Sequence, residues 1–173
     1  SEREIADELG RSVKAYETIL GARPRATAAP GWRCTAASLA VQDTFGFDYA
    51  SDVRGGVAFF PAHRGRPFRT LQIPTTLPTL DELIGRERRV NNVLLSSLRD
   101  GLNVHTIHAE VEGRPYLPVF EELLREVQKR SVETVVLREV ADRLLKDRSN
   151  PLPIREVRKG RLPGRSGWVA CPA

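Results

Sequence analysis

The chain has 173 residues, a length that suits one domain with a sizeable core and is short for two. Charged residues make up 28% and the hydrophobic set 40%, which excludes a disordered segment, and no apolar run approaches the roughly 18 residues of a membrane-crossing helix. The net charge of +5 raises nucleic acid and anionic lipid as partners, but acids and bases are mixed through most of the sequence, so the charge alone selects neither.

The N-terminus opens without methionine, and the chain contains none. Ser1-x-x-Glu4 is a capping-box pattern at a helix start, so the chain is expected to be cut from the middle of a longer one. No secretory-type N-terminus is visible. Ile5, Leu9, Val13, Tyr16 and Leu20 keep helical spacing and predict a helix over 2–20, closed by Gly21. Residues 25–29 read as a short small-residue strand that breaks into a Pro30-Gly31 turn before Trp32 and Arg33. Thr35 caps a short helix through Val41, and residues 47–52 alternate as a strand does.

Residues 57–60 and 70–73 predict further strands, separated by a loop rich in Arg, Gly and Pro. Thr79-x-x-Glu82 is a second capping box opening a helix through Leu83, and another helix is expected over 88–99. Residues 102–109 are rich in β-branched types and read as a buried strand ending at His108. Arg114-Pro115 opens a helix with Phe120, Leu123, Leu124 and Val127 on one face. A strand over 132–136, a helix over 137–145 and an irregular basic tail over 150–173 complete the pass. Strands alternating with helices predict an α/β architecture, a parallel sheet or barrel, and no internal repeat is present.

The chemistry-bearing residues are few. Cys34 and Cys171 are far apart and form no metal-type spacing, which fits a reducing compartment. Of the three histidines, His63 lies in a polar loop and is expected to be exposed and inert. His105 and His108 stand three apart, and on a strand they point to opposite faces, which argues against their sharing a metal. His108 ends its strand before the polar loop Ala109–Gly113. Function gathers at such strand ends in α/β folds, and an imidazole suits proton transfer near neutrality. A hydrogen-bonded core histidine is the competing reading. Pro30–Arg33 and Asp52–Gly55 also end strands, so three polar groups are placed to face one mouth. Late in the chain Arg155, Arg158, Lys159, Arg161 and Arg165 lie among Ile154, Val157, Leu162 and Trp168, a mixture that suits an anionic membrane surface at least as well as RNA.

Several stretches together carry a resemblance: Ala29-Pro-Gly-Trp-Arg33, Tyr49-Ala-Ser-Asp-Val-Arg-Gly55, residues Gln72 to Glu82, Thr106-Ile-His-Ala-Glu-Val-Glu-Gly113, Phe120-Glu-Glu-Leu-Leu124 and Pro163-Gly-Arg-Ser-Gly-Trp168. The chain resembles the C-terminal half of the bacterial deformylases of undecaprenyl-phosphate 4-deoxy-4-formamido-L-arabinose, a branch of the polysaccharide deacetylase superfamily with its NodB-homology domain. The resemblance implies a distorted (β/α) barrel, of which residues 1–149 are the C-terminal part. It implies a divalent metal of the zinc type, held by an Asp and two His upstream of residue 1 beside a second Asp acting as base, with no metal ligand in this chain.

On the matched motifs His108 is the general acid and Asp52 the group that orients the base-supporting arginine. Gly31 and Trp32 form the turn whose N–H holds the oxyanion, and Glu110 and Glu112 lie near the sugar. Where relatives carry an arginine in this turn the chain has Ala28, which leaves Arg33 or Arg54 to supply the guanidinium. The implied activity is removal of the formyl group during lipid A modification, a step that confers resistance to cationic antimicrobial peptides. The implied partners are the lipid-linked sugar, the anionic cytoplasmic face of the inner membrane and the N-terminal half of the same domain, and no nucleic acid. The alternatives are a deacetylase of another N-acylated sugar and a non-catalytic basic module for anionic lipid or RNA. The sparse aromatic content speaks against RNA.

Overall fold

The computed structural model describes residues 1–173. The first helix, α1 (Glu2–Leu20), has the expected capping box at Ser1 and Glu4, and Gly21 closes it in the left-handed region, where a glycine costs nothing. Strand β1 (Ala26–Thr27) leads into a tight turn at Pro30–Trp32. Helix α2 (Ala36–Thr44) is capped by Thr35, with Ser38 as its reciprocal partner, and runs three residues past the expected end. Strand β2 (Tyr49–Ala50) follows.

Two sheets hold the molecule together. In the first, β1, β2 and β5 (Leu71–Gln72) run parallel in that order, with Ala26 opposite Tyr49 and Tyr49 opposite Leu71. The second has the order β4-β3-β6-β7 and is mixed. Its strands are β3 (Phe60–His63), β4 (Arg66–Pro67), β6 (Ile154–Gly160) and β7 (Val169–Pro172). Beyond β5 come the single turn α3 (Leu80–Leu83) and helices α4 (Val90–Ser96), α5 (Leu117–Lys129) and α6 (Leu137–Lys146).

Four expectations are corrected. The strand expected at 57–60 is shifted to Phe60–His63, and the polar loop after it is itself half of a hairpin. Arg64 and Gly65 both take positive φ there, the twist a two-residue hairpin turn requires. The stretch 102–109 is extended but forms no ladder: the Thr76 and Leu77 N–H groups donate to the Val104 carbonyl, each at 3.0 Å, and the Val104 N–H donates to the Thr76 hydroxyl. Residues 132–136 likewise make no strand, and all but Val135 are exposed. A β-branched run fixes an extended backbone, whereas a strand also needs a neighbour to exchange N–H and C=O with.

The last 24 residues are not irregular. β6 pairs in parallel with β3 and antiparallel with β7, Val157 opposite Pro172 and Gly160 opposite Val169. The four charged residues of β6 hide this, because only Val157 and Gly160 are partly buried. Ala170 on β7 is fully buried with Val53, Phe59, Leu39 and Cys34. A second cluster, Ala58, Leu71, Ile73, Val104 and Ala141, joins the first sheet to α6, and a third packs α4 on α5 through Leu94, Leu95 and Leu123. No helix is long and apolar enough to cross a membrane.

Candidate active site

The segments that follow β1, β2 and β5 come together at one end of the first sheet, where the extended stretch 102–108 joins them. This is the C-terminal end of the parallel strands, the position at which α/β folds present function. A cleft of about 540 Å³ opens there, with Ala28, Gly31, Trp32, Thr75, His108 and Arg165 at its polar corner. Its apolar flank is built from residues 102–107, from Leu94 of α4 and Leu98 just after it, from Phe120, Leu123 and Leu124 of α5, and from residues 132–135.

Asp52 is fully buried and organises the turn above it. Its Oδ1 accepts the Ala29 N–H at 2.6 Å, and its Oδ2 accepts the side-chain amides of Gln42 and Gln72 at 2.8 and 2.7 Å. Burial pushes the Asp52 carboxyl above its ordinary range, against the pull of these three donors. No arginine touches it; what it orients is the entry into Pro30–Trp32.

In that turn Gly31 and Trp32 both take positive φ, 61° and 55°. For tryptophan this is a strained conformation costing of the order of 1–3 kcal/mol, sustained only when the surroundings fix it. They do. The indole N–H donates to the Thr75 hydroxyl at 3.1 Å, and that hydroxyl bonds in turn to the Thr106 hydroxyl. The guanidinium groups of Arg54 and Arg165 lie 4.8 and 4.5 Å from the ring centroid. The Trp32 N–H returns to the Ala29 carbonyl, whereas the Gly31 N–H has no acceptor within the chain, and Gly31 lines the cleft.

Helix turn α3 is the hub beneath this layer. Glu82 is buried, accepting the Arg54 guanidinium at 2.6 Å and, as its own cap, the Thr79 N–H at 3.2 Å. Arg54 also donates to the Leu77 carbonyl, so its fork is spent inside the fold and it does not line the cleft. The neighbouring Asp81 stands between two cleft residues. Its Oδ1 is 4.0 Å from His108 Nδ1 and its Oδ2 is 3.7 Å from Arg165 Nη1.

His108 is one-third exposed at the cleft, and its Nδ1 is buried without a hydrogen-bond partner. Glu112, almost wholly buried, accepts the backbone N–H of His108 at 2.8 Å and thereby folds the 108–112 turn that presents the imidazole. Glu112 is thus directed at the loop and not at solvent, while Glu110 is exposed. His105 lies deeper, its Nδ1 3.0 Å from the Pro78 carbonyl, and burial depresses its pKa. Arg33 is exposed and packs beside Gly167 outside the cleft. His63 is exposed at the end of β3.

The structure therefore brings Gly31, Trp32 and His108 to one mouth, places Asp52, Arg54 and Glu112 behind it as buried supports, and leaves Arg33 and Glu110 outside. Sequence reasoning missed Asp81 and Arg165 as members of this group. The capping box marked where α3 starts, and the Pro163–Trp168 stretch was legible as a motif. Nothing in either local pattern says that the two meet.

Comparison with known proteins accords with this geometry. No protein-family model matches the chain. Over 172 residues it is 37% identical to a protein of Shewanella sediminis assigned as a 4-deoxy-4-formamido-L-arabinose-phosphoundecaprenol deformylase, covering 96% of this chain and 54% of that one. A protein of Wigglesworthia glossinidia brevipalpis with the same assignment is 32% identical, covering 98% of this chain and 60% of the relative. The chain thus spans a little over half the length of these curated homologues. A crystal structure assigned as a polysaccharide deacetylase, from Mycobacterium smegmatis, superposes with a TM-score of 0.63 at 18% identity, over 88% of this chain and 60% of that one, and so shares its fold.

Proposed function

We propose that this chain, as a homologue of those deformylases, forms the substrate-facing C-terminal part of an amide hydrolase that deformylates undecaprenyl-phosphate 4-deoxy-4-formamido-L-arabinose. The step would belong to lipid A modification and to resistance against cationic antimicrobial peptides. The observation that carries this reading is the meeting of an imidazole, an unpaired backbone N–H and a cationic wall at the strand ends of a deacetylase-type fold.

In the reaction, a water oxygen bonds to the formyl carbon, its proton passing to a base outside these residues, and the carbonyl electron pair moves onto the carbonyl oxygen. The Gly31 N–H, which has no other partner, is the donor for that oxygen. On collapse the carbonyl re-forms and the C–N pair leaves on the sugar nitrogen, which takes a proton from the protonated His108 imidazole, giving the free amine and formic acid, which loses its proton to water as formate. An amine leaving as its anion would be prohibitively unstable, so this proton is the chief chemical contribution of the chain. Asp52 acts at one remove: by holding the Ala29 N–H it sets the strained turn that aims the Gly31 N–H.

A divalent metal of the zinc type is the cofactor such hydrolases imply. The residues of this chain do not fit one, since no three His, Cys, Asp or Glu side chains gather where an ion could sit. No step within this chain is therefore routed through a metal, and we place its ligands, with the base, on polypeptide outside these residues. The same polypeptide would close a distorted barrel against 102–108 and 132–136, the two extended stretches that form no ladder here. The outward basic residues Arg155, Arg158 and Arg161 of the β6–β7 hairpin would hold the enzyme peripherally on the cytoplasmic face of the inner membrane, at about 1 kcal/mol each near an anionic surface.

The test is product analysis with the native enzyme on the lipid-linked formamido sugar and its N-acetyl counterpart. Formate release from the first, well above acetate release from the second, is expected. Preference for the acetyl compound would replace this reading with a deacetylase.

A further inference from the structure

Two guanidinium groups lie against Trp32, and they are in different states. Arg54 is buried and spends its fork on Glu82 and Leu77. Arg165, about one-fifth exposed, donates no hydrogen bond within the chain: its Nη1 stands 3.6 Å from Glu82 and 3.7 Å from Asp81, beyond bonding reach of either. A guanidinium carries five N–H donors in a fixed fork. Arg165 lines the cleft, and although its Nη1 is ion-paired with Asp81 and Glu82, none of its donors makes a hydrogen bond within the chain.

The holding is specific. Arg165 sits in the connection between β6 and β7, whose glycines are packed without spare room. A Cβ on Gly164 would come 2.2 Å from the Glu82 carbonyl oxygen, and one on Gly167 would come 2.8 Å from Arg33. Both glycines also have positive φ. The connection is thereby docked on α3 and on Arg33, and Arg165 is directed back across the indole. Its Nη2 lies 3.3 Å from the place a Cβ of Gly31 would take, beside the one N–H of the turn that lacks an acceptor. Across the mouth, Asp81 stands 3.7 Å from Arg165 Nη1 and 4.0 Å from His108 Nδ1.

We propose that Arg165 contacts the substrate, its free fork and the Gly31 N–H together binding the anionic oxygen on the acyl carbon: the oxyanion during the reaction, and the carboxylate of formate after it. The inference rests on the deformylase reading above. Planar forks match carboxylate geometry, and a donor directed at a developing oxyanion acts mainly in the transition state.

In the native enzyme, R165Q and R165K are assayed on the lipid-linked formamido sugar and on a soluble formamido sugar without phosphate. For R165Q, kcat falls about 100-fold on both substrates with KM within a few-fold, and the inhibition constant for formate rises at least tenfold. For R165K, which keeps the charge and loses the fork, the loss is smaller but still above tenfold on both. If R165Q does not fold, as judged by its thermal midpoint, R165K decides by that threshold. A loss confined to the phosphorylated substrate would make Arg165 a phosphate anchor and overturn the proposal, as would a change in kcat below threefold. Separately, sodium formate titrated into the full chain shifts the Gly31 amide resonance, and R165Q abolishes that shift. Wild-type enzyme that releases no formate from either sugar would sink the deformylase reading alone, and the titration would still judge Arg165.

Discussion

The layer behind the cleft and the stretches along its apolar flank differ in how far their polar groups are satisfied. Behind the cleft, Asp52 accepts three N–H groups, Arg54 is shared between a carboxylate and a carbonyl, and Trp32, Thr75 and Thr106 form a chain of hydrogen bonds. On the flank, the backbone of 102–107 bonds to other backbone only through the Val104 carbonyl, and 132–136 is mostly exposed. Unpaired extended backbone beside apolar side chains is the surface on which further polypeptide can complete a sheet. The first region is a densely bonded support, in which only Gln42 Oε1, Thr79 Oγ1 and Glu112 Oε1 lack partners, and the second an open edge. Substitutions in the support should cost stability, and those at the open mouth should cost rate.

The largest effect expected is on rate. His108→Ala in the native enzyme should lower turnover by ~10²–10⁴-fold, as loss of a general acid does, while leaving the unfolding midpoint close to wild type. Retention of more than a tenth of the activity at neutral pH would break the division between mouth and support.

Next comes Glu82→Ala, which strips the partner from a guanidinium that is only 8% exposed. Breaking a buried ion pair from one side costs about 3–5 kcal/mol, so urea unfolding should shift strongly. A loss below 1 kcal/mol would mean that Arg54 finds water, and that the support is less closed than its hydrogen bonds indicate.

Asp52→Asn should cost less, about 1–3 kcal/mol, because an amide cannot accept from donors on both sides and leaves one buried N–H unmet. The pH dependence sharpens the point. With its folded pKa raised, Asp52 contributes most below the ordinary carboxylate range, and that contribution declines as pH rises through the raised value. The variant should lack this slope in unfolding curves collected from pH 4 upward; an unchanged slope would assign it to other carboxylates.

The smallest effect belongs to His105, whose folded pKa is depressed by burial. Its contribution is complete above the unfolded value of about 6.5 and is lost as pH falls through the folded one. Stability should therefore drop on acidification below neutrality by more in wild type than in His105→Asn. Identical pH profiles would show that the ring is hydrated and lies on the open side of the comparison.

Much of the frame was legible in the sequence because its signals are local. Capping boxes at Ser1 and Thr79, the glycine after α1, and the apolar faces of α1 and α5 each involve residues within a few positions of one another. His108, Gly31 and Trp32 were identifiable for a similar reason, as polar groups following apparent strands.

Tertiary structure alone decided the rest. Whether 102–109 and 132–136 become strands depends on a neighbour's hydrogen-bonding groups, which β-branching cannot report. The hairpin at 154–172 hid behind its charges, since a strand with only Val157 and Gly160 partly buried reads as a tail until β3 is known to lie alongside. Arg165 was read as one more surface cation because its carboxylate neighbours, Asp81 and Glu82, are more than 80 positions away. Side-chain type and spacing determine which groups can do chemistry. Which of them keep a free donor at the cleft is settled only when distant segments pack and consume the others.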